Sequence, residues 1–303
     1  MKPRVLVLLA AFNGEKYLAE QIDSVLAQEG DFDLTLRIRD DGSRDGTAAL
    51  LASYAARYPE KLEVLEGENL GYNACFFALI DSAEGYDFVA LCDQDDKWMP
   101  GKIQAAVKAL EGIKGPALYA CPSLMTDAFL KPMGTTRLKK RPITPANALV
   151  QNICPGHNQL MNRSLLELVQ KPREVSRIYV YDLWIANLAA LYGTIVFDPE
   201  PRTWYRQHGG NELGTSGSAV GKLLKAGRRS LAGEGRKNQK QMAYFAEQNR
   251  EALEALGLYE KVQELLQAKG FGKRLRFICH CPFYRQSRLE TAAFKLAVLL
   301  GKY

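Results

Sequence analysis

The sequence lacks most of the marks that settle a protein's class at once. Its 303 residues hold six cysteines and no C-x-x-C pair, which excludes a zinc ribbon and a thioredoxin-like redox centre. Apart from Cys279 and Cys281 the cysteines are scattered, as in reduced cytosolic proteins. No stretch reaches the ~18 to 20 apolar residues that a membrane span needs. The opening "MKPRVLVLLAAFNGEKYL" has an apolar run only from Val5 to Phe12, so a first β-strand is expected there and a signal peptide is not. There is no G-x-x-x-x-G-K-[ST] loop and no G-x-G-x-x-G after the first apolar run, which excludes a P-loop nucleotidase and argues against a dinucleotide fold. Acidic residues are scarce in the last third. Residues 209 to 303 carry 17 Lys/Arg against 8 Glu, whereas residues 1 to 208 carry 23 basic and 26 acidic residues. A weakly acidic body with a basic tail points to an anionic partner for the tail, either a lipid surface or nucleic acid.

What is present is the composition of a folded protein, 47% hydrophobic and 24% charged, long enough for two domains. "RVLVLLAAF" reads as a strand, and "NGEKYLAEQIDSVLAQ" places Leu18, Ile22, Val25 and Leu26 at helical spacing. "LTLRIRD" alternates with period two, and "DGSRDGTAALLASYAARY" is a helix with Ser43 or Asp45 available as its cap. "LEVLEG", "NLGYNACFFALIDSA", "YDFVALCD" and "MPGKIQAAVKALEG" continue the alternation of strand and helix through residue 111. The pattern predicts an α/β fold with a mostly parallel sheet covered on both faces. After Gly115 the pattern is mixed: strand-like "PALYACPSLMT", a Pro-rich crossing at 131 to 145, "ICPGHNQLMN", a helix "YDLWIANLAALYG", and strands "GTIVF" and "RTWYRQH". A Gly/Ser-rich linker begins at Gly209, and residues 219 to 303 are helical in pattern without internal repeats.

In open α/β sheets ligands bind beyond the carboxyl ends of the strands, and the polar clusters fall there. Ala11, Phe12 and Asn13 end the first strand; Asp40, Asp41, Gly42 and Ser43 end the second; Asn69, Leu70 and Gly71 follow the third; Asp93, Gln94, Asp95 and Asp96 end the fourth. Alone, "DDGS" is a good turn and helix cap, and "DQDDKW" reads equally as a solvated loop. Four such clusters at four consecutive strand ends form a site. Three carboxylates within four positions repel one another unless a cation intervenes. The D-x-D spacing lets Asp93 and Asp95 approach one hard ion, Mg²⁺ or Mn²⁺, whose shell is usually completed by substrate phosphates and water. A nucleotide whose diphosphate is held through metal is the substrate this implies.

The stretches "AAFNGEKYLAEQIDSVLAQ", "RDDGSRDGT", "NLGYNACFFAL", "FVALCDQDDKWMPGKI", "GHNQLMNRSLLEL", "YDLWIANLAALYG" and "YRQHGGN" run in order across residues 5 to 211. Together they resemble the family-2 glycosyltransferases of the GT-A fold, in particular the bacterial rhamnosyltransferase-like branch. The resemblance implies a GT-A catalytic domain over residues 1–211, with a nucleotide-sugar-binding half at 1–115 and an acceptor half at 116–211, followed by a helical basic region at 212–303. It implies a metal-dependent, inverting transfer of a sugar from dTDP-rhamnose or a UDP-hexose to a glycan or lipid-linked acceptor in cell-surface polysaccharide synthesis. On positions, it implies that Phe12 packs the base beside Ala11 and Asn13, that Asp41 hydrogen-bonds the pyrimidine while Asp40 supports its loop, and that Asn69, Gly71 and Gln94 line the donor. Asp93, Asp95 and Asp96 would hold the metal and diphosphate, with His208 of "YRQH" as a further ligand to either. Asp182 of "YDLW" matches the general base; as a plain residue it could also be a helix cap. His157, Tyr181 and Trp184 would line the acceptor pocket, though His157 also reads as a structural histidine.

In the tail, Leu289, Ala292, Ala293, Leu296, Leu299 and Leu300 fall on one helical face among basic residues. Such a helix lies in an anionic bilayer surface, and the expectation is peripheral contact at the cytoplasmic side of the cell membrane, with no nucleic acid bound. The alternative is a helix packed on the catalytic domain or on a second subunit of a homodimer. Phe76, Phe77, Trp98, Trp184 and Trp204 read as core or sugar-stacking walls. Two other function classes compete. A sugar nucleotidyltransferase needs a Gly-rich activating loop near the N-terminus, which "AAFNGEKY" lacks. A non-catalytic membrane-associated binder would not need Asp93, Asp95 and Asp182 intact.

Overall fold

The computed structural model describes residues 2–136, 138–208 and 234–303. The linker expected from Gly209, its boundary at 211/212 and the helical pattern at 219–233 lie outside the described residues.

A seven-stranded sheet forms the centre. β1 (Arg4–Ala11), β2 (Asp33–Asp40), β3 (Leu62–Glu66), β4 (Phe88–Asp93), β6 (Ala117–Ala120), β9 (Leu160–Asn162) and β10 (Thr194–Phe197) are ordered β10-β6-β9-β4-β1-β2-β3. All neighbours are parallel except β9, which runs antiparallel to both β4 and β6. β1 shows why the sheet is parallel at its middle. Val5 to Leu9 are all fully buried, the continuous apolar run of a strand covered on both faces. A second sheet, β5 (Lys97–Trp98), β11 (Thr203–Arg206), β7 (Leu124–Thr126) and β8 (Pro132–Thr135), is ordered β5-β11-β7-β8.

Two cores follow, one on each face. α1 (Leu18–Leu26), α2 (Thr47–Arg57) and α4 (Lys102–Leu110) supply Leu18, Ile22, Val25, Leu51, Ile103 and Ala106 to the first. α3 (Tyr72–Asp81), α6 (Arg163–Val169) and α7 (Tyr181–Tyr192) supply Phe76, Leu165 and Ile185 to the second. The short α5 (Pro145–Ala148) precedes α6. The cap of α2 differs from the expectation: Gly46 stands there without a side-chain bond. Asp45 accepts from the Thr47 N–H at 3.0 Å, and the Ser43 hydroxyl is engaged with Asp40 at 2.6 Å. Both polar side chains are used to shape the loop ahead of the helix.

The C-terminal helices are part of the second core. These are α8 (Glu234–Gln248), α9 (Arg250–Ala255), α10 (Tyr259–Gln267), α11 (Phe271–Cys279) and α12 (Arg288–Leu299). Met242, Tyr244, Phe245, Val262, Phe277, Phe294 and Val298 join the cluster that contains β1, β4 and α7 residues. The packing alternative for this region therefore holds for its inner face. Among the described residues no helix is long and apolar enough to cross a membrane.

One polar contact locks α8 to the start of α7. The buried Gln241 side chain accepts from the N–H groups of Tyr179 and Val180 at 2.7 and 2.8 Å and donates to the Val180 carbonyl at 3.0 Å. Gln241→Ala removes the acceptor of two part-buried backbone donors, and each such loss costs up to roughly 1–3 kcal/mol. The expected outcome is a lower urea midpoint with unchanged slope, measured by circular dichroism; an unchanged midpoint would show that water replaces the amide.

Candidate active site

The loops after β1, β2, β3 and β4 meet at one edge of the sheet because these strands are parallel neighbours. Side chains stitch them together. Gln94 makes a reciprocal pair with the Phe12 backbone, accepting its N–H at 2.9 Å and donating to its carbonyl at 3.0 Å. Asn13 takes a left-handed conformation, φ 46°, which asparagine tolerates better than most residues; its N–H donates to Ser43 Oγ and its Oδ1 accepts from the Arg44 N–H. Ala11 is buried and its carbonyl accepts from the Asp41 N–H at 2.8 Å. Phe12 is exposed, and Asn69 lies at the exposed end of the third loop.

The two aspartates after β2 divide the work. Asp40 Oδ1 accepts from both the N–H and the hydroxyl of Ser43. The buried Asp41 carboxylate accepts from Leu70 and Gly71 N–H groups at 2.9–3.1 Å and from Arg39 Nε at 3.3 Å. It turns inward onto the Asn69–Gly71 loop, where Gly71 has a φ of 80° that favours glycine.

The acids after β4 are separated. Asp95 Oδ2 lies 2.8 Å from His208 Nε2. Asp96 is fully buried and accepts from the Arg206 N–H at 3.1 Å. Asp93 faces His157, whose Nδ1 lies 3.5 Å from Asp93 Oδ2 and 3.9 Å from Asp96 Oδ2. Ligand atoms of Asp93, Asp96 and His157 lie within 4.8 Å of one another. The sequence grouped Asp93, Asp95, Asp96 and His208 as metal-holding residues; the structure brings Asp93 and Asp96 together with His157, which the sequence had placed on the acceptor side, and sets Asp95 against His208. Asp95 and His208 form a neighbouring pair. Burial and the charges of Asp95 and Asp93 raise the Asp96 carboxyl to about 8, against the opposing pull of His157. Asp95 is raised by burial and by Asp93. Burial works to lower the His157 pKa, but the Asp96 and Asp93 carboxylates prevail and hold it above the ordinary value.

The donor set fits a divalent cation. Asp93 Oδ1 and Asp96 Oδ2 are buried with no hydrogen-bond partner, and two carboxylates with one imidazole suit Mn²⁺ or Mg²⁺.

Several supporting residues were missed in the sequence. Lys102, buried on α4, donates to the His157 carbonyl at 2.7 Å, Asn158 Oδ1 at 2.9 Å and Thr203 Oγ1 at 2.6 Å; burial lowers its pKa. It fixes the backbone that carries His157, while Ser123 Oγ, 2.8 Å from Nε2, and the stacked ring of Tyr205 fix the imidazole. Arg206 binds the Asp95 and Ala128 carbonyls at 2.9 and 2.7 Å and pairs with Glu20, which Lys97 also contacts. A cavity of about 290 Å³ opens beside these groups, lined by Asn13, Lys16, Tyr17, Gln94, Asp95 and His208. The only early signal for Lys102 is its place in "KWMPGKI", directly after the acids.

Asp182 lies in the first turn of α7. Its Oδ2 accepts from the Gly156 N–H at 3.0 Å and its Oδ1 from the Leu183 N–H at 2.7 Å. Burial lifts its pKa to about 6, against hydrogen bonds from Gly156, Leu183 and Asn152, and the Asp93 charge adds to the rise. Gly156 holds Asp182 and the next residue, His157, faces Asp93, so one short segment joins the two groups. The other expected pocket residues are core. Tyr181 is buried with its ring stacked on Phe76, centroids 4.2 Å apart. Trp184 is buried against Tyr244 and Phe245 of α8. Two residues along a helix turn a side chain by ~200°, so Trp184 points away from the side that Asp182 occupies.

Comparison with known proteins bears on the family and the fold. An uncharacterised Mycobacterium tuberculosis protein is 36% identical over 207 residues, 67% of this chain; the chain spans 58% of that relative's length. The dTDP-rhamnosyl transferase RfbG of Shigella flexneri is 27% identical over 231 residues, 72% of this chain and 78% of its own. The crystal structure of Staphylococcus aureus TarS residues 1–349 in complex with UDP-GlcNAc superposes with a TM-score of 0.58 at 16% identity, covering 99% of this chain and 89% of that one; at that identity the likeness is one of fold, the GT-A architecture. The profile of Glycosyl transferase family 2 matches residues 6–169, more than half of the sequence, and on that ground, with the strand-end site just described, the chain belongs to glycosyl transferase family 2.

Proposed function

We propose that the chain is a metal-dependent inverting hexosyltransferase. It would move a sugar from a nucleoside diphosphate donor, dTDP-rhamnose or a UDP-hexose, to a glycan or lipid-linked hydroxyl in cell-surface polysaccharide synthesis at the cytoplasmic face of a membrane. The observation that carries this reading is the short link through Gly156 and His157 between a carboxylate of raised pKa, Asp182, and a cluster with cation-binding chemistry, Asp93, Asp96 and His157.

Asp93, Asp96 and His157 would hold the cation, with Asp95 and His208 beside them toward the cavity. A bound divalent ion neutralises charge growing on a departing diphosphate. Asp182 serves as the base: its carboxylate is fixed by two backbone N–H groups and takes the acceptor hydroxyl proton as that oxygen attacks the anomeric carbon. One displacement from the face opposite the leaving group inverts the centre. A carboxylate of about pKa 6 is a stronger base than an ordinary one yet remains ionised at neutral pH. The loops after β1 and β2 receive the nucleoside, with Phe12 exposed for the base and Asp41 shaping the Asn69–Gly71 loop around it. Lys102 acts on the reaction only through the position of His157.

The test is transfer from a panel of nucleotide sugars with Mn²⁺, with the product's anomeric configuration read by NMR. Retention of configuration, or full activity in chelator, would overturn the reading. Asp182→Asn removes the base and, with a single carbonyl oxygen, keeps one of the two backbone bonds from Gly156 and Leu183, so turnover should fall about 10² to 10⁴-fold while calorimetric affinity for nucleotide and metal is unchanged and the melting temperature reports the lost bond separately. The N-cap of α7 is Val180, so the capping alternative for Asp182 does not hold; a purely structural role for its bonds to Gly156 and Leu183 predicts lower stability with a near-normal rate. In the wild type the rate should drop as pH falls through about 6, where Asp182 is protonated, and level off above it. Asp93→Asn should abolish metal-dependent nucleotide binding; undiminished binding would place the ion on Asp95 and His208 instead. Lys102→Met should lower stability by roughly 1–3 kcal/mol, the range for losing hydrogen bonds from a charged donor, and weaken metal binding; loss of stability with metal affinity intact would make Lys102 a packing residue only.

A further inference from the structure

α11 and α12 form an antiparallel pair. Arg274 lies over Gly301, and Lys295 Nζ donates to the Ile278 carbonyl at 3.3 Å. The inner seam of the pair, Phe277, Phe294 and Val298, is buried in the core. The outer side is also apolar and no described residue covers it: Leu289 is 81% exposed, Phe271 64%, Leu300 56%, Leu296 55% and Leu275 43%. Helical spacing puts Leu289, Leu296 and Leu300 on the face of α12 opposite Phe294 and Val298, and Phe271 and Leu275 on the outer side of α11. A helix that is apolar on two opposite faces has a second partner besides its own core. The charge around the stripe says which kind. Residues 269–303 carry eight Lys/Arg and one acid, Glu290, and Glu290 is engaged in the capping box with Ser287. Lys269, Lys273, Arg276, Arg288 and Lys302 are exposed.

We infer that the outer face of the α11–α12 pair is a docking surface for an anionic lipid bilayer, with the leucines and Phe271 entering the headgroup boundary and the basic side chains meeting lipid phosphates. Exposed apolar side chains rimmed by one sign of charge are what such a surface recognises; a nucleic acid has no use for the leucines, and a second acidic protein has no use for their depth. The Gln286 N–H donates to Gln151 Oε1 at 2.7 Å and its side chain donates to Asn147 Oδ1 at 2.8 Å, and this segment continues into Asn152 and Gly156, which hold Asp182. The root of the pair is thus tied to the segment that carries Gly156. The inference extends the membrane-side reading given above, but its test needs no turnover.

Whole protein is sedimented with phosphatidylglycerol-containing vesicles and with pure phosphatidylcholine vesicles. Binding to the first and not the second, falling with salt, is expected. Leu289→Glu with Leu296→Glu changes two solvent-facing positions and should cut the partition coefficient at least about tenfold, as should Lys273→Glu with Arg276→Glu, with melting temperatures held near that of the wild type. Wild-type protein that ignores anionic vesicles, or a leucine variant that binds like the wild type, overturns the proposal. So does a wild-type dimer in analytical ultracentrifugation that the leucine variant loses and that vesicles do not compete with, since the stripe is then a subunit interface. An inactive wild type that still sediments leaves the docking surface standing and sinks the transferase reading; an active wild type that does not sediment does the reverse.

Discussion

Carboxylates placed side by side in a dry pocket repel one another by about 4 kcal/mol per pair at ~4 Å and an effective dielectric near 20. Much of the chain beyond β4 is arranged around that cost at the end of this strand. Asp93, Asp95 and Asp96 are answered by different groups: His157, His208 and the Arg206 backbone. The small second sheet exists at this edge because β11 must bring Arg206 and Thr203 against β5 and β7, where Arg206 clamps the Asp95 carbonyl and Thr203 receives Lys102. Asp96 is pushed up to about 8 first by its burial and then by the neighbouring Asp95 and Asp93 charges, against the pull of His157. A divalent charge would be the larger relief, and one buried oxygen each of Asp93 and Asp96 has no hydrogen-bond partner.

The half of the molecule built on β1 to β4 was open to reading because its logic is local. Strand and helix alternate with clear periods, and polar residues collect where each strand stops. The half after β4 was less legible for physical reasons. β9 is three residues long and inserts antiparallel between β4 and β6, a choice made by long-range packing and not by its own sequence. Within "YDLW" the chemistry of the letters does not reveal that Tyr181 and Trp184 face the core while Asp182 faces Gly156; that depends on which side of α7 the sheet occupies. His157 follows "CPG", and nothing in that run says that a Lys fifty-five positions earlier will pin its carbonyl toward Asp93.

The tail shows a different limit. Amphipathic spacing identified the row Leu289, Ala292, Ala293, Leu296, Leu299 and Leu300, and a row of that kind usually marks the inward side. Here the inward side is the other one, through Phe294 and Val298, because the aromatic ring at 294 fills space beside Tyr303 and Arg285. With two apolar faces on one helix, periodicity names both and ranks neither.

The ties between residues 140–151 and 284–290 span 135 to 146 positions of sequence. A contact of that range forms late, after shorter-range structure has collapsed. During synthesis the wall beside Asp182 therefore stays open until the last helices emerge, with Trp184 and its neighbours in the second core lacking the aromatic partners that α8 brings. The half built on β1 to β4 can close on itself much earlier. A nascent chain of this kind offers folded strand ends beside an uncovered face of α7, and for that interval the exposed apolar wall, more than any feature of the finished molecule, is what chaperones would meet.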